Sequence, residues 1–246
     1  MVPKQCSSRY DHGMDLVYRG ARDARRVAML PAAWNPPTLA HLALAEAALI
    51  FADEVLLVLP RVFPHKGFEH AGFDLRLEWL LRIAAARKGL GVGATKAGLF
   101  LDMARALRSA DARIEHVYVV CGSDAAERFL NWPYERGPCA SEQLREFSLL
   151  VAPRGEPNAP KRSRDREGAV VPGIDRSLRS RSCSEETISL WTNGPRVPEG
   201  SIHTLSLDPK LSRISSTDVR QRIGRGEPWS HLVPDEIAAE AGAIYR

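Results

Sequence analysis

"RRVAMLPAAWNPPTLAHLALAEAALIFADEVLLVLP", residues 25–60, carries the reading of the fold. It opens on a short apolar run, RRVAML, that stops at Pro31, and closes on a second, DEVLLVLP, rich in leucine and valine. Runs of this length without alternation suit strands buried on both faces. Between them a proline-dense loop gives way to an almost wholly apolar stretch from about Leu39 to Phe51, long enough for a helix. Strand, loop, helix and strand in that order make a parallel unit, because parallel pairing needs a crossover of about a dozen residues or more.

Outward from this stretch the rhythm repeats. FDLRLEWLLRIAAARKG (73–89) reads as an amphipathic helix, KAGLFLDMARALRS (96–109) as another helix, and IEHVYVVCGSD (114–124) as the clearest strand. REFSLLVAPRG (145–155) gives a helix end and a strand, and TISLW (187–191) and IHTLSL (202–207) two more strands. A capped helix in SSTDVRQRIGRG (215–226) and a final short one in PDEIAAEAGAIYR (234–246) close the chain. The predicted fold is α/β: a Rossmann-like, doubly wound parallel sheet with a small C-terminal helical segment.

Residues 1–24 lack periodicity and read as a loose N-terminal extension, with a single domain over 25–246. A mobile insertion at about 155–186 interrupts it. That segment is rich in Pro, Gly, Ser and Arg and poor in large hydrophobes, which suits a solvated loop better than a nucleic-acid contact.

Composition narrows the function. The chain has 246 residues, 44% hydrophobic and 26% charged, so it can build a sizeable core. Its net charge of +4 suits an anionic substrate without implying nucleic acid, since the arginines are spread along the chain. Cys6, Cys121, Cys139 and Cys183 show no metal-ligand spacing and read as free thiols of a reducing compartment. No segment reaches the length of apolar residues a membrane span needs, and no apolar leader stands at the start, so the expectation is a cytoplasmic protein.

In doubly wound sheets the ligand lies beyond the carboxyl ends of the strands, where residues 31–41, 61–72 and 122–124 all fall. Two features there bear chemistry. His41 stands in the first turn of the predicted helix and is either a satisfied core histidine or a donor to a phosphate. ISSTDVR (214–220) is either an ordinary capped surface helix or an anion site, in which hydroxyls, free N–H groups and the Arg220 guanidinium meet a phosphate.

Together these residues resemble one family. AAWNPPTLAH (32–41) resembles the G-x-F-x-P-x-[HT]-x-G-H signature of the nucleotidyltransferase α/β-phosphodiesterase superfamily, and ISSTDVR resembles its I-S-S-T-x-[IV]-R signature. Within the superfamily the chain is most similar to bacterial nicotinate-nucleotide adenylyltransferases. That likeness rests on Pro-His-Lys at 64–66, GSD at 122–124, NWPYE at 131–135 and the ending GEPWSHLVPDEIAAEAGAIYR. It covers about residues 26–154 and 201–246. The motif's glycines are Pro31, Ala32 and Ala40 here, and Thr38 stands where many members have a first histidine.

The resemblance implies adenylyl transfer from ATP to nicotinate mononucleotide, giving nicotinate adenine dinucleotide and pyrophosphate in NAD biosynthesis. It implies His41 and Thr38 as donors to the α-phosphate, and ATP contacts from Ala33, Trp34, Asn35, Gly122, Asp124, Ser215, Ser216, Thr217 and Arg220. Contacts to the mononucleotide fall to Lys66, Thr95, Trp132 and Arg154. Trp132 is either a stacking partner for the pyridine ring or a buried core tryptophan. Mg²⁺ accompanies ATP, with no dedicated protein cage. The expected partners are ATP and a pyridine mononucleotide, with neither nucleic acid nor membrane, and a homo-oligomer is left open. Another nucleotidyltransferase of the superfamily, for nicotinamide mononucleotide or phosphopantetheine, is the alternative, as is a catalytically impaired nucleotide-binding protein.

Overall fold

The strand–helix–strand unit predicted for residues 25–60 is the centre of the molecule. In the computed structural model, which describes residues 13–61, 71–132, 134, 137–153 and 197–246, β2 (Arg26–Pro31) and β3 (Glu54–Pro60) pair in parallel across α1 (Leu39–Ala48). Lys66, Arg154, the TISLW strand and the proposed insertion lie outside the described residues.

The chain continues through α2 (Phe73–Ala85), β4 (Leu90–Thr95), α3 (Phe100–Ala110), β5 (His116–Gly122) and α4 (Ser123–Leu130). A short α5 (Ala140–Gln143) leads to β6 (Ser148–Ala152). After β7 (Ile202–Thr204) come α6 (Pro209–Ser212), α7 (Ser216–Arg225) and α8 (Asp235–Ile244). The strand order is β1-β4-β3-β2-β5-β6-β7, and every pair but the first is parallel. From β2 the chain winds outward through β3 to β4, then returns through α3 and winds the other way through β5, β6 and β7. The reversal between β2 and β5 is the switch point of a doubly wound sheet.

Alternate side chains of each strand feed two cores. Ala28 and Leu30 of β2 join Leu42 of α1, Trp79 and Leu80 of α2, Val219 of α7 and Ile237 of α8 on one face. Val27 and Met29 join Met103 and Leu107 of α3 and Ala126 and Phe129 of α4 on the other. Burial on both faces explains why β2 and β3 show unbroken apolar runs.

Two strands depart from the sequence reading. Residues 14–18, assigned to a loose extension, form β1 (Met14–Tyr18), antiparallel to β4, with Met14 facing Thr95. Neither strand announces itself. β1 is short and half exposed, and β4, LGVGAT, holds two glycines, a residue depleted in strands. Those glycines are what let the flank close. A Cβ on Gly91 would stand 2.6 Å from Glu54 Oε1 and 2.8 Å from the Tyr18 carbonyl oxygen. Beyond β1 the chain is tied down by charge. Arg19 Nε donates to Glu54 Oε2 at 2.6 Å, and Arg19 Nη1 to Asp111 Oδ2 at 2.7 Å. The backbone N–H groups of Gly20 and Ala21 both donate to Glu54 Oε1.

Candidate active site

Residues 32–37 leave the carboxyl end of β2 beside the switch point, and their backbone is held from four directions. Ala32 N–H and the Trp34 indole Nε1–H both donate to the Val58 carbonyl of β3, at 3.2 and 2.8 Å. Arg76 Nη1, from the first turn of α2, donates to the Ala33 carbonyl at 2.7 Å. Ser216 Oγ–H donates to the Pro36 carbonyl at 2.7 Å, and Arg220 Nη1 to the Asn35 carbonyl. The Tyr245 phenol donates to Asn35 Oδ1. Trp34 is fully buried at φ 53°, a left-handed conformation costly for a residue with a Cβ. Its indole hydrogen bond and its packing hold it there. The Asn35–Pro36 peptide is cis.

The same loop delivers His41. Thr38 is the N-cap of α1 with extended backbone, and His41 is the third residue of the helix. Thr38 N–H donates to His41 Nδ1 at 3.1 Å, and Thr38 Oγ1 lies 2.8 Å from that nitrogen. A nitrogen that accepts a backbone N–H carries no proton, so the neutral ring keeps its hydrogen on Nε2. Burial pushes the His41 pKa down to about 4, which keeps the ring neutral at ordinary pH. The Trp34 ring lies against it, centroids 4.8 Å apart. The hydrogen bonds fix the His41 ring with a single donor, Nε2–H, and the residue is partly covered. Thr38 plays a different part from the one the resemblance implies. It is fully buried and orients His41 instead of reaching outward itself.

At ISSTDVR the capped helix of the sequence reading is present. Ser215 is a true N-cap, its Oγ accepting from Asp218 N–H at 3.1 Å, and Asp218 Oδ2 accepts from Arg222 Nε at 2.9 Å. Yet this helix end is no isolated surface feature, because Ser216 and Arg220 bond the 35–36 loop across the sequence. Arg220 Nη2 also reaches Thr217 Oγ1 at 3.4 Å. The two motifs meet, and they bring a neutral imidazole donor, a helix N-terminus, hydroxyls and a guanidinium to one edge of the sheet. Such a set binds and stabilises phosphoryl oxygens.

The other expected residues fall unevenly. Gly122 ends β5 and caps α4, with nothing within 4 Å of where a Cβ would stand, and Asp124 is exposed in the first turn of α4. Between them Ser123 is buried, and its Oγ has no hydrogen-bond partner among the described residues. Trp132 is 61% exposed, which removes the core reading of that residue. Thr95, at the end of β4, is buried. Its hydroxyl donates to the Gly13 carbonyl at 3.4 Å and accepts from Ala97 N–H at 3.0 Å, so it braces the β4 turn rather than facing a ligand. Among the described residues no three His, Cys, Asp or Glu side chains gather as a metal site, and no helix is long and apolar enough to cross a membrane. Sequence reasoning missed Arg76 and Tyr245. An arginine inside an amphipathic helix and a tyrosine just past the end of the last helix give no local sign that they reach a distant loop.

No family model matches the chain. It is 26% identical over 232 residues to a probable nicotinate-nucleotide adenylyltransferase of Anaeromyxobacter dehalogenans, covering 90% of this chain and 97% of the relative. It is 27% identical over 239 residues to a probable enzyme of the same name from Chromohalobacter salexigens, covering 88% and 94%. Among solved structures it is similar to Plasmodium falciparum nicotinic acid mononucleotide adenylyltransferase. The complex with NaAD superposes with a TM-score of 0.59 at 12% identity, over 90% of this chain and 96% of the other. The complex with APC gives 0.57 at 12%, over 90% and 97%. In sequence along most of its length, and in its doubly wound fold, the chain is similar to the nicotinate-nucleotide adenylyltransferases that its motifs resemble.

Proposed function

We propose that the protein is an adenylyltransferase that joins ATP and nicotinate mononucleotide. A 5′-phosphate oxygen of the mononucleotide attacks the α-phosphorus of ATP in line, the bond from that phosphorus to the bridging β-oxygen breaks, and pyrophosphate leaves. The attacking group is already an anion, so the protein needs neither a nucleophile nor a strong base. Its work is positioning and charge stabilisation. The observation that carries this reading is the meeting of the two motifs, with His41 locked as an Nε2–H donor and Ser216 and Arg220 fastened to the same loop. The names of the relatives support it independently.

His41 Nε2–H donates to the α-phosphate, where negative charge builds. The N-terminus of α7 with Ser215, Thr217 and Arg220 takes the outer phosphates, Arg220 exchanging its bond to the loop for one to an oxygen. The backbone of Ala33, Trp34 and Asn35 and the open side of Gly122, with Asp124, border the nucleoside. Mg²⁺ enters with its substrate as MgATP, bound by phosphate oxygens. Trp132, exposed beyond α4, stacks on the pyridine ring, with Lys66 and Arg154 as cations for the mononucleotide. Pyrophosphate release, followed with nicotinate mononucleotide, nicotinamide mononucleotide and phosphopantetheine side by side, tests the reading. The first should be used best. Equal use of acid and amide sinks the substrate assignment, and no release with any acceptor sinks the enzyme.

A further inference from the structure

We propose that Tyr245 is a positioning residue for this site. Its phenol O–H, donated to Asn35 Oδ1, holds the phosphate-gripping loop in its working shape. The proposal rests on the adenylyl-transfer reading and adds a residue that makes no contact with the reacting groups.

Four observations carry it. Asn35 is buried, and both its oxygens are taken, the side-chain one by Tyr245 and the main-chain one by Arg220. It sits between Trp34, whose ring backs His41, and Pro36, whose carbonyl holds Ser216. The bond from Tyr245 therefore joins those from Val58, Arg76, Ser216 and Arg220 in fixing the segment between the imidazole donor and the helix N-terminus, and it alone holds the Asn35 side-chain oxygen among the described residues. Second, Tyr245 is itself fixed. It is 5% exposed, its ring lies 6.4 Å from that of Trp79, and its N–H donates to the Ala241 carbonyl at 3.1 Å. Third, the element behind it is clamped to α2. Glu240 accepts from Trp79 Nε1 at 2.7 Å and from Arg82 Nη1 at 2.9 Å, and Glu236 from Arg87 Nη1 at 2.7 Å. Fourth, burial pushes the phenol up to about 12, so it remains a donor throughout the neutral range. A rigid anchor, a permanent donor and a buried acceptor on a catalytic loop make a strut.

Tyr245→Phe removes only the O–H and keeps the ring, so the core stays filled. A buried acceptor that loses its donor is set loose, and kcat/KM for ATP should fall about tenfold. The Michaelis constant for the mononucleotide should stay where it was, as should the melting temperature within a few degrees. Asn35→Ala, which removes the acceptor instead of the donor, should match Tyr245→Phe in this fall. The Tyr245→Phe/Asn35→Ala double variant should then be no worse than the poorer single one, since both remove the same bond. An active wild type with Tyr245→Phe unchanged in kcat/KM overturns the proposal alone. So does a double variant that loses the product of the two single effects, or a loss confined to melting temperature. A wild type inert with ATP and nicotinate mononucleotide overturns the adenylyl-transfer reading, and this inference with it.

Discussion

At the scale of one residue, His41 is the sharpest case, because its protonation state follows from two hydrogen-bond partners and its burial. Thr38 N–H and Oγ1 both address Nδ1, which leaves Nε2–H as the outward donor. His41→Ala removes that donor from developing phosphoryl charge and should lower turnover by roughly 10²–10³ while leaving the fold intact. Unchanged turnover would return His41 to the core. A second expectation concerns acid. The folded ring titrates at about 4, whereas an unfolded chain titrates at its ordinary 6.5. Between those values the unfolded state holds the extra proton, so this residue makes stability fall as pH drops from 6.5 towards 4 and has no effect above. Melting temperature against pH, for wild type and His41→Gln, checks this. The wild type should lose ground to the variant only on the acid side, and a gap that widens towards alkaline pH would contradict it. At Trp132 the ring is exposed, so Trp132→Ala should leave stability alone yet raise the mononucleotide Michaelis constant about tenfold or more, as expected when about 1–3 kcal/mol of stacking is lost.

At the scale of the element, α7 shows how far sequence carries. The serine N-cap, the acidic first turn and the Gly226 end in the left-handed region at φ 67° were all legible locally. What Ser216 and Arg220 hold was not, because a carbonyl acceptor in a distant loop leaves no trace in residue type. Arg220→Lys keeps the charge but loses the planar fork proposed to pass from the loop to the phosphates, so ATP affinity in calorimetry should fall. Unaltered binding would reduce α7 to a capped helix. The strands divide in the same way. β2, β3, β5 and β6 declare themselves through apolar runs, since burial on two faces demands them. β4 hides because close approach of Glu54 and Tyr18 requires glycine where a strand ordinarily carries valine or isoleucine. β1 hides because an edge strand half open to solvent needs no apolar pattern at all. Thr95 was read for its hydroxyl, which the β4 turn uses internally.

For the molecule as a whole, stability and chemistry sit at opposite ends of the sheet. The proposed phosphate grip lies at the carboxyl ends of the strands, whereas Glu54, fully buried at the start of β3, gathers Arg19, Gly20 and Ala21 at the other end. Glu54→Ala takes the acceptor from the Gly20 and Ala21 amides and leaves Arg19 with Asp111 as its remaining carboxylate, and should lower unfolding free energy by roughly 1–3 kcal/mol. At 25 °C the folded fraction should keep a near-normal kcat/KM. A selective loss of activity without a loss of melting temperature would place Glu54 in the wrong half of the molecule. The flank that Glu54 secures also has a history in time. Among the described elements a ribosome delivers β1 ahead of the rest, yet its pairing partner β4 emerges only after β2, α1, β3 and α2. At translation speeds of about 5–20 residues per second that is a wait of several seconds, during which MDLVY has no strand to join and the edge of β3 that β4 will cover stays open. The first strand among the described residues is thus among the later ones to be seated, and slow codons in the stretch between β1 and β4 would lengthen the nascent chain's exposure to chaperones.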